Sequence, residues 1–174
     1  MKKFFCFSET ISGKTFFLRT LFAVVLSFPI LILLISKWTS YFMSLGDFDI
    51  YDSSIENQME IQSFGDELAL KIAENPEFYL NDFMDSFTIG WVFIFILTII
   101  LPIWFGLATY YKRVSALFYD QRKEIFTALV IFEIVSDYIL LSNSGIITTI
   151  VSLIGLIIFA FLTLNNSKFE KHEG

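Results

Sequence analysis

The chain has 174 residues, 55% of them hydrophobic and only 17% charged, with a mean hydropathy of +0.66. Soluble domains run about 45–50% apolar with about 25% charged residues, so this composition excludes an ordinary water-soluble domain, and the 22 phenylalanines point to lipid. The net charge of −6 is unevenly spread: residues 44–87 carry eleven acids against one base, Lys71, whereas the remainder carries seven acids and eleven bases. An acidic segment on a basic frame excludes nucleic acid as a partner, because phosphate contacts need clustered Lys and Arg.

The N-terminus opens with Lys2 and Lys3 and the aromatic run Phe4-Phe5-Cys6-Phe7. Cys6 is the single cysteine, which rules out an intrachain disulfide and reads as an interfacial thiol. Ser8-Glu9-Thr10 interrupts the apolar run, and no small-x-small site follows the first long hydrophobic stretch, so no cleaved leader is expected. Ser12-Gly13-Lys14-Thr15 resembles the end of a phosphate-binding loop. The full motif needs Gly five positions before its Gly-Lys, and Ser8 stands there. The segment therefore reads as a polar turn with Lys14 facing lipid headgroups.

Crossing a hydrocarbon core of about 30 Å takes roughly 20 apolar residues in a helix. Four stretches qualify: residues 16–36, with Pro29 inside; 89–109, with Pro102 inside; 125–141; and 146–164. Helices are the expected spanning elements, since strands would leave backbone groups unpaired in lipid. The predicted fold is an all-α membrane protein with four transmembrane helices in one polytopic domain, and the lipid bilayer is its first partner. An acidic outer loop spans 37–88, an inner loop 110–124 and a tail 165–174. Ser142-Asn143-Ser144-Gly145 forces a tight hairpin between the last two helices.

Orientation follows from Lys and Arg beside the spans. With the N-terminus inside, the inner flanks hold Lys2, Lys3, Lys14, Arg19, Lys112, Arg113, Arg122, Lys123, Lys168 and Lys171, against Lys37 and Lys71 outside. Both termini are therefore expected in the cytoplasm. Lys14, Lys112, Arg113, Arg122 and Lys123 are the candidate headgroup contacts.

The outer loop is expected to be an amphipathic helical segment rather than coil. Ser53-Ser54-Ile55-Glu56 fits a capping box with Ser53 as the cap. Ile55, Met59, Phe64, Leu68 and Ile72 then form a broad stripe. Asn75-Pro76 reads as the next helix start, with Pro in the first turn.

Chemistry-bearing residues are few. His172 is the only histidine and lies in the charged tail. That excludes Ser-His and Cys-His catalysis and His-based zinc motifs, so no enzyme, cofactor or metal site is expected. The informative pair is Glu133 and Asp137, four apart on one helical face inside the third span. A charge at mid-membrane costs roughly 2.5–3.5 kcal/mol on insertion scales. Two such neighbours should not both ionise easily in a low dielectric. Either they bind helices together through Ser27, Thr98, Ser136, Thr148, Thr149 or Ser152, with Lys37 reaching Asp137, or they handle protons or cations.

The order of features resembles the YhaH-like family, a bacterial domain of unknown function numbered 805. The resemblance rests on Phe4-Phe5-Cys6-Phe7 before Ser12-Gly13-Lys14, on Leu101-Pro102 leading to Lys112-Arg113-Val114-Ser115-Ala116, and on the polar tail from Asn165-Asn166 to Gly174. The family's His-Asp positions hold Ser115 and Ala116 here, and the long acidic loop is outside it. The resemblance implies a bacterial inner (plasma) membrane location and no established activity. The expected role is scaffolding, regulation or partner binding without catalysis. The partner is a membrane protein or a second copy, since four thin helices enclose little volume. The alternative is a small proton- or cation-handling subunit using Glu133 and Asp137.

Overall fold

The computed structural model describes residues 2–46, 51–142 and 145–167, with side chains from residue 4 onward. The described residues are mostly helical, with no strand among them: α1 Lys2–Phe5, α2 Gly13–Leu26, α3 Phe28–Gly46, α4 Ile55–Glu74, α5 Pro76–Asp85, α6 Ile89–Leu117, a 3-10 turn at Tyr119–Gln121, α7 Arg122–Ser142 and α8 Ile146–Leu164. Four helical stretches are long and apolar enough to cross a membrane: Gly13–Gly46, Ile89–Leu117, Tyr119–Ser142 and Ile146–Leu164. Leu21, Ile32, Ile94, Ile134 and Ile157 are all more than half exposed. Helices apolar on every face are stable in hydrocarbon and not in water.

The fourth span keeps its expected limits, whereas the others run longer. The first is two helices, α2 and α3, meeting at a turn at Ser27. Pro29 has no N–H to give Val25, so the ladder restarts there, with Ile30 N and Leu31 N both donating to Ser27 O. Helix α3 then continues ten residues past the expected end at Ser36, through stretches assigned to the outer loop. Helix α6 likewise runs eight residues past Thr109, and so takes in Lys112 and Arg113. In both cases aromatic or buried polar partners satisfy residues that hydropathy alone assigns to loops. Asp47, Asp49, Asn143, Ser144, Lys168, Lys171 and His172 lie outside the described residues.

Backbone contacts divide the chain into two compact units. The first comprises residues 1–26 and 100–174. Its centre is Ile11, Phe16, Val114, Leu117 and Leu162, joined by Tyr110, Phe126 and Phe159, with α8 lying against α2 and α7.

The second unit, residues 27–99, is held by aromatic side chains. Trp38 and Tyr41 both meet Phe83 edge-on at 5.2 and 5.1 Å, Phe83 meets Phe87, and Phe87 leads to Trp91 and the stacked Phe95. Ring pairs of this kind add roughly 0.5–1.5 kcal/mol each beyond area burial. Tyr41 Oη donates to Asp82 Oδ2 at 2.7 Å, and Lys37 Nζ donates to Ser86 O at 2.7 Å. Helix α4 is capped by Ser54, whose Oγ accepts from Asn57 N, and not by Ser53 as the capping-box reading has it. Asp52 Oδ1 accepts from Ser54 N, which closes a local turn and sets the helix start one residue later. Helix α5 begins at Pro76 as expected. Of the expected α4 stripe, Leu68 is buried and Phe64 and Ile72 are half-buried, whereas Ile55 and Met59 are exposed.

Candidate functional site

Two features of the first unit hold chemistry-bearing side chains. The first is a groove between α6 and α7 with a volume of about 410 Å³. Ile103, Gly106, Leu107 and Tyr110 line it from α6, at spacings that place all four on one helical face. From α7 come Phe126, Leu129 and Val130, then Glu133, Ile134 and Asp137, again one face followed for three turns. Beside Gly106 the groove is open: a Cβ built there meets nothing within 4 Å.

Glu133 lies near the middle of α7, and Asp137 one turn, about 6 Å, further along the axis. Both side chains are exposed at the protein surface, on the groove. Among the described residues no side chain donates a hydrogen bond to either carboxylate. Three of the hydroxyls expected to serve them, those of Thr98, Thr148 and Thr149, bond to backbone carbonyls of their own segments. Thr98 Oγ1 donates to Ile94 O, and Thr148 and Thr149 both donate to Gly145 O. Lys37, expected near Asp137, is held by Ser86 O in the second unit. The structure thus brings the two carboxyls together on one face of α7, beside the groove.

The second feature is a knot where the N-terminal segment meets the ends of α6 and α8, and the sequence reading missed it. Arg113 is fully buried. Its Nε donates to Leu162 O, Nη1 to Ile11 O at 3.1 Å, and Nη2 to Asn165 O. The last carbonyls of a helix have no intrahelical donor and carry the negative end of its dipole. Arg113 therefore caps α8 with a cation while fastening the N-terminal segment to it. Lys112, also fully buried, pairs with Glu9 at 3.2 Å. Glu9 holds φ at 101°, a conformation that side-chain-bearing residues rarely adopt. Gly13 lies so close to α8 that a Cβ there would fall 1.9 Å from the Thr163 carbonyl oxygen. Ser12 caps α2, its Oγ accepting from Thr15 N. Arg19 is buried between the rings of Phe4 and Phe105, each 5.1 Å away, and its Nη2 donates to Phe4 O. Trp104 Nε1 donates to Phe5 O, and Phe7 packs on Trp104, Tyr111 and Phe126.

This knot corrects the headgroup assignment of Lys112 and Arg113. Both charges are enclosed by protein and occupied by protein acceptors, because α6 continues past its expected end and carries them inward. Lys14 and Lys123 are exposed. Arg122 lies over the Tyr119 ring at 4.3 Å and donates to Tyr119 O. Among the described residues, no group of three or more His, Cys, Asp or Glu side chains converges as a metal site would require.

A scan against protein-family models, a search of curated proteins and a search of solved structures each found no match to this chain.

Proposed function

We propose that this chain is a multi-pass inner-membrane protein with both termini in the cytoplasm. It acts by binding within the bilayer, in a regulatory or partner-binding role, without catalysis of its own. The observation that carries this reading is the α6/α7 groove: one carboxylate near the middle of a membrane-length helix and a second one turn further along, with no hydrogen-bond donor among the described residues of the first unit. Intramembrane carboxyls are costly and ordinarily answered by a partner. When the chain does not provide that partner, a bound species does. The acidic segment with α4 and α5 forms the amphipathic outer portion, and the ten-to-two distribution of bases supports the orientation. The resemblance to the YhaH-like family supports the inner-membrane location.

The second reading, a proton- or cation-handling subunit, draws on the same pair. Conduction needs a lining of polar groups or water, whereas this groove is apolar apart from Glu133, Asp137 and the Tyr110 hydroxyl. The geometry therefore favours binding over conduction.

Thermal stability in detergent of the doubly neutral variant Glu133→Gln with Asp137→Asn tests the reading. The expected result is stability equal to or above that of the unmodified protein, since no intrachain bond is lost. A collapse in stability would assign the pair to holding the helices together and would overturn the binding role.

A further inference from the structure

We infer that the α6/α7 groove is a binding site for an organic cation with an apolar body, entered sideways from the bilayer, with its positive centre between Glu133 and Asp137. This rests on the binding role proposed above and names the chemistry of the occupant.

The first argument is the missing counter-charge. Each other described base of the first unit is placed elsewhere. Arg19, Lys112 and Arg113 are buried in the knot, and each is bonded there to protein acceptors. Arg122, at the start of α7, is eleven residues from Glu133, about 16 Å along the helix, and is held by Tyr119. Lys123 lies beside it and Lys14 at the start of α2. Among the described bases of the first unit none complements the pair, and the proposed occupant brings that charge.

The second argument is the wall chemistry. A small inorganic cation such as Mg²⁺ or Ca²⁺ completes a shell of six or more oxygens with tightly held water, and the apolar walls of the groove offer that water few partners. Ile103, Leu107, Leu129, Val130 and Ile134 make the rest of it apolar, and Phe126 and Tyr110 add aromatic rings. Aromatic rings and carboxylates together suit an organic cation, whose charge is diffuse and weakly hydrated. The volume of about 410 Å³ falls within the range of roughly 300–1,000 Å³ usual for small-molecule sites. The groove opens at the surface of a span-length helix pair, so the occupant reaches it through the hydrocarbon and needs an apolar body to do so.

The test uses the full chain in nanodiscs of zwitterionic lipid, with tetraphenylphosphonium as probe and equilibrium dialysis as readout. Saturable binding is expected, weakened at least tenfold by Glu133→Gln with Asp137→Asn. Gly106→Leu should weaken it similarly while keeping both carboxylates, because the new side chain enters open space in the groove. Tetraphenylborate, of the same shape and opposite charge, should not bind saturably. Absence of saturable tetraphenylphosphonium binding overturns the inference, as does binding that survives both variants or is shared by tetraphenylborate. Suppose instead that a leucine-rich helix with a central lysine associates in a Glu133- and Asp137-dependent way while the small cation does not. The occupant is then a protein helix, and the inference fails while the binding role stands. The binding role itself fails separately, through loss of stability in the doubly neutral variant.

Discussion

Replacing Arg113 by lysine keeps the charge and removes the planar fork, and so isolates what the knot depends on. The guanidinium spreads three donors over Leu162, Ile11 and Asn165 carbonyls, on two different chain segments. A lysine ammonium is a point donor on a flexible stem and from the same backbone position reaches one of them. Hydrogen bonds to charged groups contribute roughly 1.5–3 kcal/mol each, and the abandoned carbonyls stay buried. Losing two bonds is therefore expected to cost about 3–6 kcal/mol, a large part of the roughly 5–15 kcal/mol that separates folded from unfolded domains. Arg113→Met should cost somewhat more, because all three carbonyls lose their donor. The assay is denaturant unfolding in a mild detergent, followed by the near-ultraviolet signal of Trp104, which is bonded to the same N-terminal segment at Phe5. A change below about 1 kcal/mol for Arg113→Lys would refute the account. It would mean that charge near the α8 end, rather than directed bonding, holds the segment.

Gly13→Ala places a Cβ against the Thr163 backbone carbonyl, which cannot rotate aside; overpacking of this kind costs about 1–3 kcal/mol or more, and the loss should appear in the same unfolding assay. In α4, Lys71 pairs with Glu67 at 2.7 Å, which lowers the Glu67 carboxyl below its ordinary value and raises the Lys71 ammonium above its own. The Glu67 contribution is thus complete above the unfolded carboxylate value and fades as pH falls through the lowered one, while that of Lys71 is complete below the unfolded ammonium value and fades as pH rises through the raised one. Carbon-detected titration should find Glu67 ionising at lower pH than in Lys71→Met, and equal midpoints would remove the pair. Tyr41→Phe removes the bond to Asp82 and is expected to cost roughly 1–2 kcal/mol, since Asp82 is an acceptor that carries charge; a thermal melt unchanged within error would show the bond to be dispensable. Reporter fusions at Gln58 should read outside, and those at Phe118 and Gly174 inside; a cytoplasmic signal at Gln58 would invert the orientation.

Hydropathy and length sufficed to identify four apolar helices, because lipid leaves a backbone no alternative to internal hydrogen bonding. The limits of α8 and the start of α6 follow from the same rule, since polar residues flank them abruptly. The i, i+4 spacing of Glu133 and Asp137 by itself places both on one face of α7. Tertiary structure decided the rest. That Lys112 and Arg113 are enclosed rather than spread on headgroups depends on a segment about a hundred residues away, carrying Glu9 and Ile11, which closes over them. Local hydrophobic pattern has no term for such a contact. Gly13 looked like part of a turn, and only its approach to Thr163 explains why no side chain fits there. The groove beside Glu133 is the space between two helices that meet only in three dimensions. Helical spacing puts each wall on one face of its own helix, whereas which two faces border the groove is set by tertiary packing.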